Sequence, residues 1–241
     1  MKKWYSYTVW LICVLPGLSF GQSAEEVVAK YVEFTGGVKN WKVISTIITQ
    51  GEFNYGGMPF PFTSYARIPD SYKLVVPFNG KYYAQGYVAG KGWKIDAFKN
   101  ETKPTYLTGS AARAMANEAD VEVENVFINY QRKGHTISLQ GVDTVLERKC
   151  YVVVLTRKTG ETEKYYFDKE NHALLMKEAN AKNAELNGAM LNIYYSDYRD
   201  VAGVNFPFKT VCESDGQTIL TITVSSMEIN EMIDNQTFDT P

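Results

Sequence analysis

From Thr46 onward, apolar and polar residues alternate with a period of two. Ile47, Thr49, Gly51, Phe53 and Tyr55 fall on one side of an extended segment, and Gln50, Glu52 and Asn54 on the other. Gly56-Gly57 turns the chain into Met58-Pro59-Phe60-Pro61-Phe62, where alternate prolines, unable to donate to a ladder, predict an edge strand or a bulged rim. Short strands are then predicted at 71–76, 81–88 and 93–98, bounded by Pro77, Asn79-Gly80 and Gly90-Lys91-Gly92. The rhythm breaks at Thr108, which caps a predicted helix over 109–117, and a second short turn falls at 123–127. Strands resume at 136–142, 149–156, 162–168, 173–179, 189–198, 205–213 and 217–228. Ahead of them all, Ala24, Val27, Val28 and Tyr31 keep helical spacing, opened by a Ser23–Glu26 capping box and closed by Gly36-Gly37. Roughly eleven or twelve hairpin-linked strands with two short helical pieces predict a mainly β domain, an antiparallel meander curled on itself.

The first residues follow a different rule. Lys2 and Lys3 precede an apolar run from Val9 to Leu18, and Ser19-Phe20-Gly21 puts small residues where a cleavage site needs them. The run is shorter than the roughly 20 apolar residues that cross a bilayer, and Pro16-Gly17 interrupts it. Residues 1–21 are therefore predicted to be a cleaved export signal. Residues 22–241 are predicted to be one soluble domain in the periplasm that does not span the membrane. Of the 25 basic and 27 acidic residues, cleavage removes two lysines and leaves 23 against 27, a net of −4. That balance gives no support to a nucleic-acid role, which normally shows a basic patch or stripe. Cys150 and Cys212 survive cleavage in strands far apart along the chain; the reading favoured is two buried thiols, with a disulfide the alternative that export permits.

Chemistry is sparse. The two histidines, His135 and His172, stand alone at strand ends, with no second ligand at metal spacing and no Gly-x-Ser-x-Gly elbow, so neither a metal site nor a catalytic set is predicted. Gly86-Tyr87-Val88-Ala89-Gly90-Lys91 is too short for a phosphate loop and reads as a hairpin. The alternating acids Glu118, Asp120, Glu122 and Glu124 read as a solvated edge. Aromatic residues, by contrast, are abundant: 17 Tyr, 12 Phe and 4 Trp, many sharing strand faces with aliphatic side chains. Such faces either pack a core or line a greasy cavity. The candidate lining is Phe53, Tyr55, Met58, Phe60, Phe62, Tyr72, Leu74, Tyr83, Trp93, Ile95, Leu107 and Met115. If a cavity exists, it is expected at several hundred Å³ beneath the 109–117 helix, a common size for a ligand site.

Four strings resemble the periplasmic outer-membrane lipoprotein-sorting proteins of the LolA/LolB-like superfamily. They are Tyr31-Val32-Glu33-Phe34-Thr35-Gly36-Gly37, Asn129-Tyr130-Gln131-Arg132-Lys133-Gly134-His135, Tyr195-Ser196-Asp197-Tyr198-Arg199-Asp200-Val201-Ala202-Gly203-Val204-Asn205-Phe206-Pro207, and the tail from Ile233-Asp234 to Phe238 and Pro241. The resemblance implies a half-open antiparallel β-barrel with an apolar concave face and a helical lid, which shelters acyl chains of lipids or acylated lipoproteins without enzymatic activity or a cofactor. The alternative is a cell-envelope module that keeps the fold but senses or scaffolds other envelope proteins. At ~0.8 kcal/mol per buried CH₂, full burial of several acyl chains would exceed the ~18–21 kcal/mol ceiling on affinity, so a carrier must leave chains partly exposed or open readily.

Overall fold

A computed structural model describes residues 22–123, 125–181 and 188–240. The predicted export signal lies outside the described residues, as does Asn187 of one predicted turn. The chain opens with α1 (Ala24–Phe34), whose Ser23 N–H donates to the Glu26 carboxylate while the Glu26 N–H donates to Ser23 Oγ, each at 3.2 Å. This reciprocal cap satisfies two donors that a helix start leaves open. α2 (Gly37–Lys42) follows after Gly36, which takes a φ of 104°. Gly36 also lies against the main chain at Gly203, where a Cβ would collide with the carbonyl oxygen. Only glycine meets both demands.

The strands are β1 (Thr46–Tyr55), β2 (Met58–Arg67), β3 (Ser71–Phe78), β4 (Lys81–Val88), β5 (Lys91–Ile95), β6 (Thr105–Tyr106), then α3 (Gly109–Val123), then β7 (Thr136–Val145), β8 (Arg148–Thr156), β9 (Thr162–Asp168), β10 (Leu174–Asn180), β11 (Met190–Val201), β12 (Val204–Ser214) and β13 (Gln217–Ile229). Turns of 3-10 helix follow β5 (Ala97–Lys99) and β13 (Asn235–Phe238). All thirteen strands join one antiparallel sheet in the order β6-β5-β4-β3-β2-β1-β13-β12-β11-β10-β9-β8-β7. One pairing, β1 with β13, joins the first strand to the last. The two strands at the sheet's ends, β6 and β7, are consecutive in sequence and unpaired to each other, so the sheet curls without closing. The segment that carries α3 connects them.

The proline-rich stretch behaves as a rim inside a central strand. Pro59 and Pro61 pair with Asn54 and Glu52 of β1, but β2 meets β3 only from Thr63 onward. The residues from Met58 to Phe62 thus have a ladder on one side alone, which the missing proline N–H groups require. α1, α2 and the concave sheet face share the main core, with Val27, Val28, Trp41, Phe62, Leu74, Val153, Phe167 and Phe206 buried in it. β8 is buried on both faces, with Cys150, Val152, Val153 and Leu155 all inaccessible or nearly so. Cys150 and Cys212 are free, buried thiols. Among the described residues no helix is long and apolar enough to cross a membrane.

α3 is longer than the pattern predicts and continues past Asn117 to Val123, taking in Glu118 and Asp120. The acids read as a solvated edge therefore start on a helix that faces the sheet. Asp120 meets Arg157 at 3.3 Å and Lys133 at 2.7 Å, and Glu118 accepts from Gln85 at 3.3 Å. Arg157 and Lys133, invisible to local composition, draw Asp120 inward, whereas Glu118 stays exposed and Glu124 lies outside the described residues.

Candidate functional site

Two of the strings that carry the family resemblance dock on each other. The Asn205 amide donates to the Phe34 carbonyl (2.7 Å) at the end of α1, and the Asn40 amide of α2 donates to the Gly203 carbonyl (2.9 Å). Trp41 then packs edge-on against Phe206, with centroids 5.3 Å apart, while its indole N–H donates to Thr35 Oγ1 at 3.1 Å. The β11–β12 hairpin thereby holds α1 and α2 against the inside of the sheet.

Beneath this cover lies a cavity of about 250 Å³. One wall comes from β1–β3 through Ile47, Thr49, Phe53, Phe62, Ser64, Tyr72 and Leu74. The other comes from β9–β11 through Tyr165, Leu174, Lys177, Tyr195 and Tyr198. Tyr31, Thr35 and Trp41 close it from α1 and α2, and Asn125, Val126 and Phe127 close it from the segment after α3. Phe53 and Phe62 stack at 4.5 Å. Gly51 makes room for that stack, since a Cβ there would stand 2.7 Å from the Phe62 ring.

The polar wall rests on a buried charge network. Arg157 Nε donates to Glu163 Oε2 (3.1 Å) and Nη1 to Asp120 Oδ2 (3.3 Å), while the Tyr165 hydroxyl donates to Glu163 Oε2 (2.9 Å). Lys177 Nζ stands 3.0 Å from Glu163 Oε1. Burial opposes the Arg157 charge, but the Glu163 and Asp120 carboxylates more than offset it and hold the guanidinium ionised. Burial, reinforced by the Glu163 charge, pushes the Tyr165 phenol well up, and burial does the same to Tyr198, so both hydroxyls are neutral donors. His135 is pulled below its ordinary value, first by burial and then by Arg157, with Asp120 only partly opposing. Its Nδ1 accepts from the Lys158 N–H at 3.3 Å, the arrangement of a neutral ring.

The structure divides the twelve candidates predicted from sequence. Phe53, Phe62, Tyr72 and Leu74 line the cavity. Phe60 and Tyr83 lie beside it on the same sheet face, where they meet Phe98, with centroids 5.5 and 6.1 Å away. Tyr55 and Met58 sit at the β1–β2 hairpin, each 59% exposed. Met115 and Leu107 stand over Gly92 of β5, outside the cavity lining. Trp93 and Ile95 belong to the opposite face, in a cluster with Ala84 and Val75, and Lys73 Nζ lies 5.4 Å from the Trp93 ring. The hollow is thus covered by α1, α2 and residues 125–127; α3 lies to one side, over β2–β5.

Sequence reasoning passes over the second wall entirely. Tyr195 and Tyr198 sit inside the string read as architecture. Lys177 is hidden by a bulge: Leu174 pairs with Phe167 and Met176 with Tyr166, so the alternation of β10 reverses between them. Strict period two from Leu174 would turn Lys177 outward, whereas the bulge turns it into the cavity. A second hollow of about 270 Å³, around Gly141, Val152 and Tyr166, is a recess on the other face of the sheet where the β7 bulge bends away, lined by β7, β8 and β9 alone among the described residues. Among the described residues no group of three His, Cys, Asp or Glu side chains is placed to hold a metal ion.

No protein-family model matches the chain, and no curated protein matches it. Solved structures do. A DUF1329 family protein from Desulfovibrio piger superposes with a TM-score of 0.62 at 15% identity, covering 89% of this chain and 96% of that one. A LolA superfamily protein from Nitrosomonas europaea gives 0.58 at 12% identity, over 90% and 97%. A putative outer membrane lipoprotein-sorting protein domain from Vibrio parahaemolyticus gives 0.59 at 10% identity, over 89% and 95%. At such identities the likeness defines the fold.

Proposed function

On a chain with the LolA-like fold, a half-open β-barrel with helices inside its curve, we propose a carrier or binding protein for lipid or lipoprotein acyl chains. The observation that carries this reading is the cavity of about 250 Å³ between the apolar wall at Phe53, Phe62 and Leu74 and the cover formed by α1 and α2. An interior of aromatic and aliphatic side chains that is left unfilled favours an apolar guest, because burying hydrocarbon is favourable by about 25 cal/mol per Å². The lining is dominated by apolar and aromatic side chains, so the work proposed for it is binding. The export signal proposed at 1–21 places the mature domain, residues 22–241, in the periplasm. There it would shelter acyl chains from water during transfer, a role in keeping with the sorting domain it resembles in fold.

The volume lies just under the ~300–1,000 Å³ usual for ligand pockets. In this conformation its size suits no more than one chain; the several chains of an acylated lipoprotein require the sheet to spread. Extraction of protein purified from the periplasm with organic solvent, followed by mass spectrometry, is expected to release fatty acid or phospholipid in stoichiometric amount. A clean extract, combined with failure to displace a bound fluorescent fatty acid, would overturn the proposal in favour of an envelope interaction module.

A further inference from the structure

Charge is distributed very unevenly around the cavity. Its lining includes tyrosine hydroxyls, amides and many apolar groups, yet it contains one charged side chain, Lys177, and no carboxylate, arginine or histidine. Lys177 is held in place from behind. Its Nζ lies 3.0 Å from Glu163 Oε1 and 5.7 Å from the centre of the Tyr165 ring, and its side chain is 13% exposed. An ammonium has three donors. Glu163 accepts one, and among the described residues no other acceptor is placed on the remaining two. Glu163 is also not free to neutralise Lys177 alone, because the same carboxylate receives Arg157 and the Tyr165 hydroxyl. The result is a fixed cation with spare donors facing a cavity whose other wall, across β11, β12 and β13 in the sheet order, is the Phe53–Phe62 stack.

We propose that this cavity recognises a single-chain amphiphile with an anionic head, a carboxylate or a phosphate monoester. The head accepts hydrogen bonds from Lys177 Nζ, and the chain lies along Phe53, Phe62 and Leu74. The inference rests on the carrier reading and narrows it, naming the ligand class and the residue that selects it. The volume of the hollow supports one chain, and its charge supports an anion over a neutral or cationic head. Both remaining donors of Lys177 are then used, and a charge-assisted hydrogen bond from a largely buried ammonium is the strong kind.

The test is calorimetric titration of the mature chain with four probes of equal chain length: dodecanoate, dodecyl phosphate, dodecanol and dodecyltrimethylammonium. The two anions are expected to bind roughly tenfold to a hundredfold more tightly than dodecanol, the range for a hydrogen bond to a charged group, with the cation weakest. The tighter of the two anions identifies the head group. Lys177→Met keeps the aliphatic stem and leaves Glu163 with Arg157; it should erase the preference for anions, so that dodecanoate and dodecyl phosphate bind no more tightly than dodecanol does to the same variant. Lys177→Arg should keep the preference. Equal binding of dodecanol and dodecanoate by the unaltered protein, or a preference that survives in Lys177→Met, overturns the head-group assignment while the carrier reading stands. Failure of all four probes to bind overturns both.

Discussion

The two helical layers inside the sheet are held by different forces. α1 and α2 bury Val27, Val28, Tyr31, Val32 and Trp41, and add two amide-to-carbonyl bonds to the β11–β12 hairpin. α3 buries only Met115 and Ala119 among its described side chains. Its other attachments are polar: Asn117 donates to Glu161 (2.9 Å), Glu118 accepts from Gln85, and Asp120 meets Arg157 and Lys133. Apolar burial is lost all at once when a surface lifts, whereas polar groups recover partners in water. The first layer is therefore a fixed part of the core, and the second is a cover whose detachment costs little beyond its ionic ties.

The sharpest way to break this contrast is Trp41→Ala, which should destabilise the protein by about 3–5 kcal/mol, the usual cost of removing a large buried aromatic side chain. The midpoint of urea unfolding reads it. Asp120→Asn should cost less, about 1–2 kcal/mol, because Asp120 is partly solvated and Arg157 retains Glu163. Its signature is local: amide exchange should quicken in α3 and stay unchanged in α1. His135 provides the smallest effect. Its folded value lies below the ordinary 6.5, so the folded state binds fewer protons than the unfolded one. The stability this supplies is complete above pH 6.5 and is lost as the pH falls below it toward the folded value. His135→Gln should flatten the decline of stability with acidification over that window, as measured by thermal melts across pH.

How much of this was legible in the sequence depends on whether a signal was local. The Ser23–Glu26 cap, the Gly36-Gly37 helix end and most hairpin turns are set by neighbours a few residues apart, and the structure has them where the pattern puts them. The β1–β3 wall was readable because its alternation is uninterrupted from Phe53 to Leu74. The β9–β11 wall was not, because the bulge after Leu174 reverses the parity of β10 and nothing in Leu174-Leu175-Met176-Lys177 marks it. The opposite placement of Trp93 and Ile95 has a related cause: Trp93 pairs with Gly86, and the Trp93 ring fills the space that this missing side chain leaves on the outer face. Which side of a strand faces inward is decided by pairing partners, and those lie outside any local window.

One feature of the sheet bears on what it can hold. No rung of main-chain hydrogen bonds ties β6 to β7, so the girth of the trough is not set by the backbone as it is in a sealed barrel. Spreading that seam strains the strap between Tyr106 and Thr136 and the polar ties of α3 to Gln85 on one side and to Glu161 and Arg157 on the other, and leaves every interstrand ladder intact. The protein is built like a purse with a soft clasp, whose width can change along one edge without melting the fold.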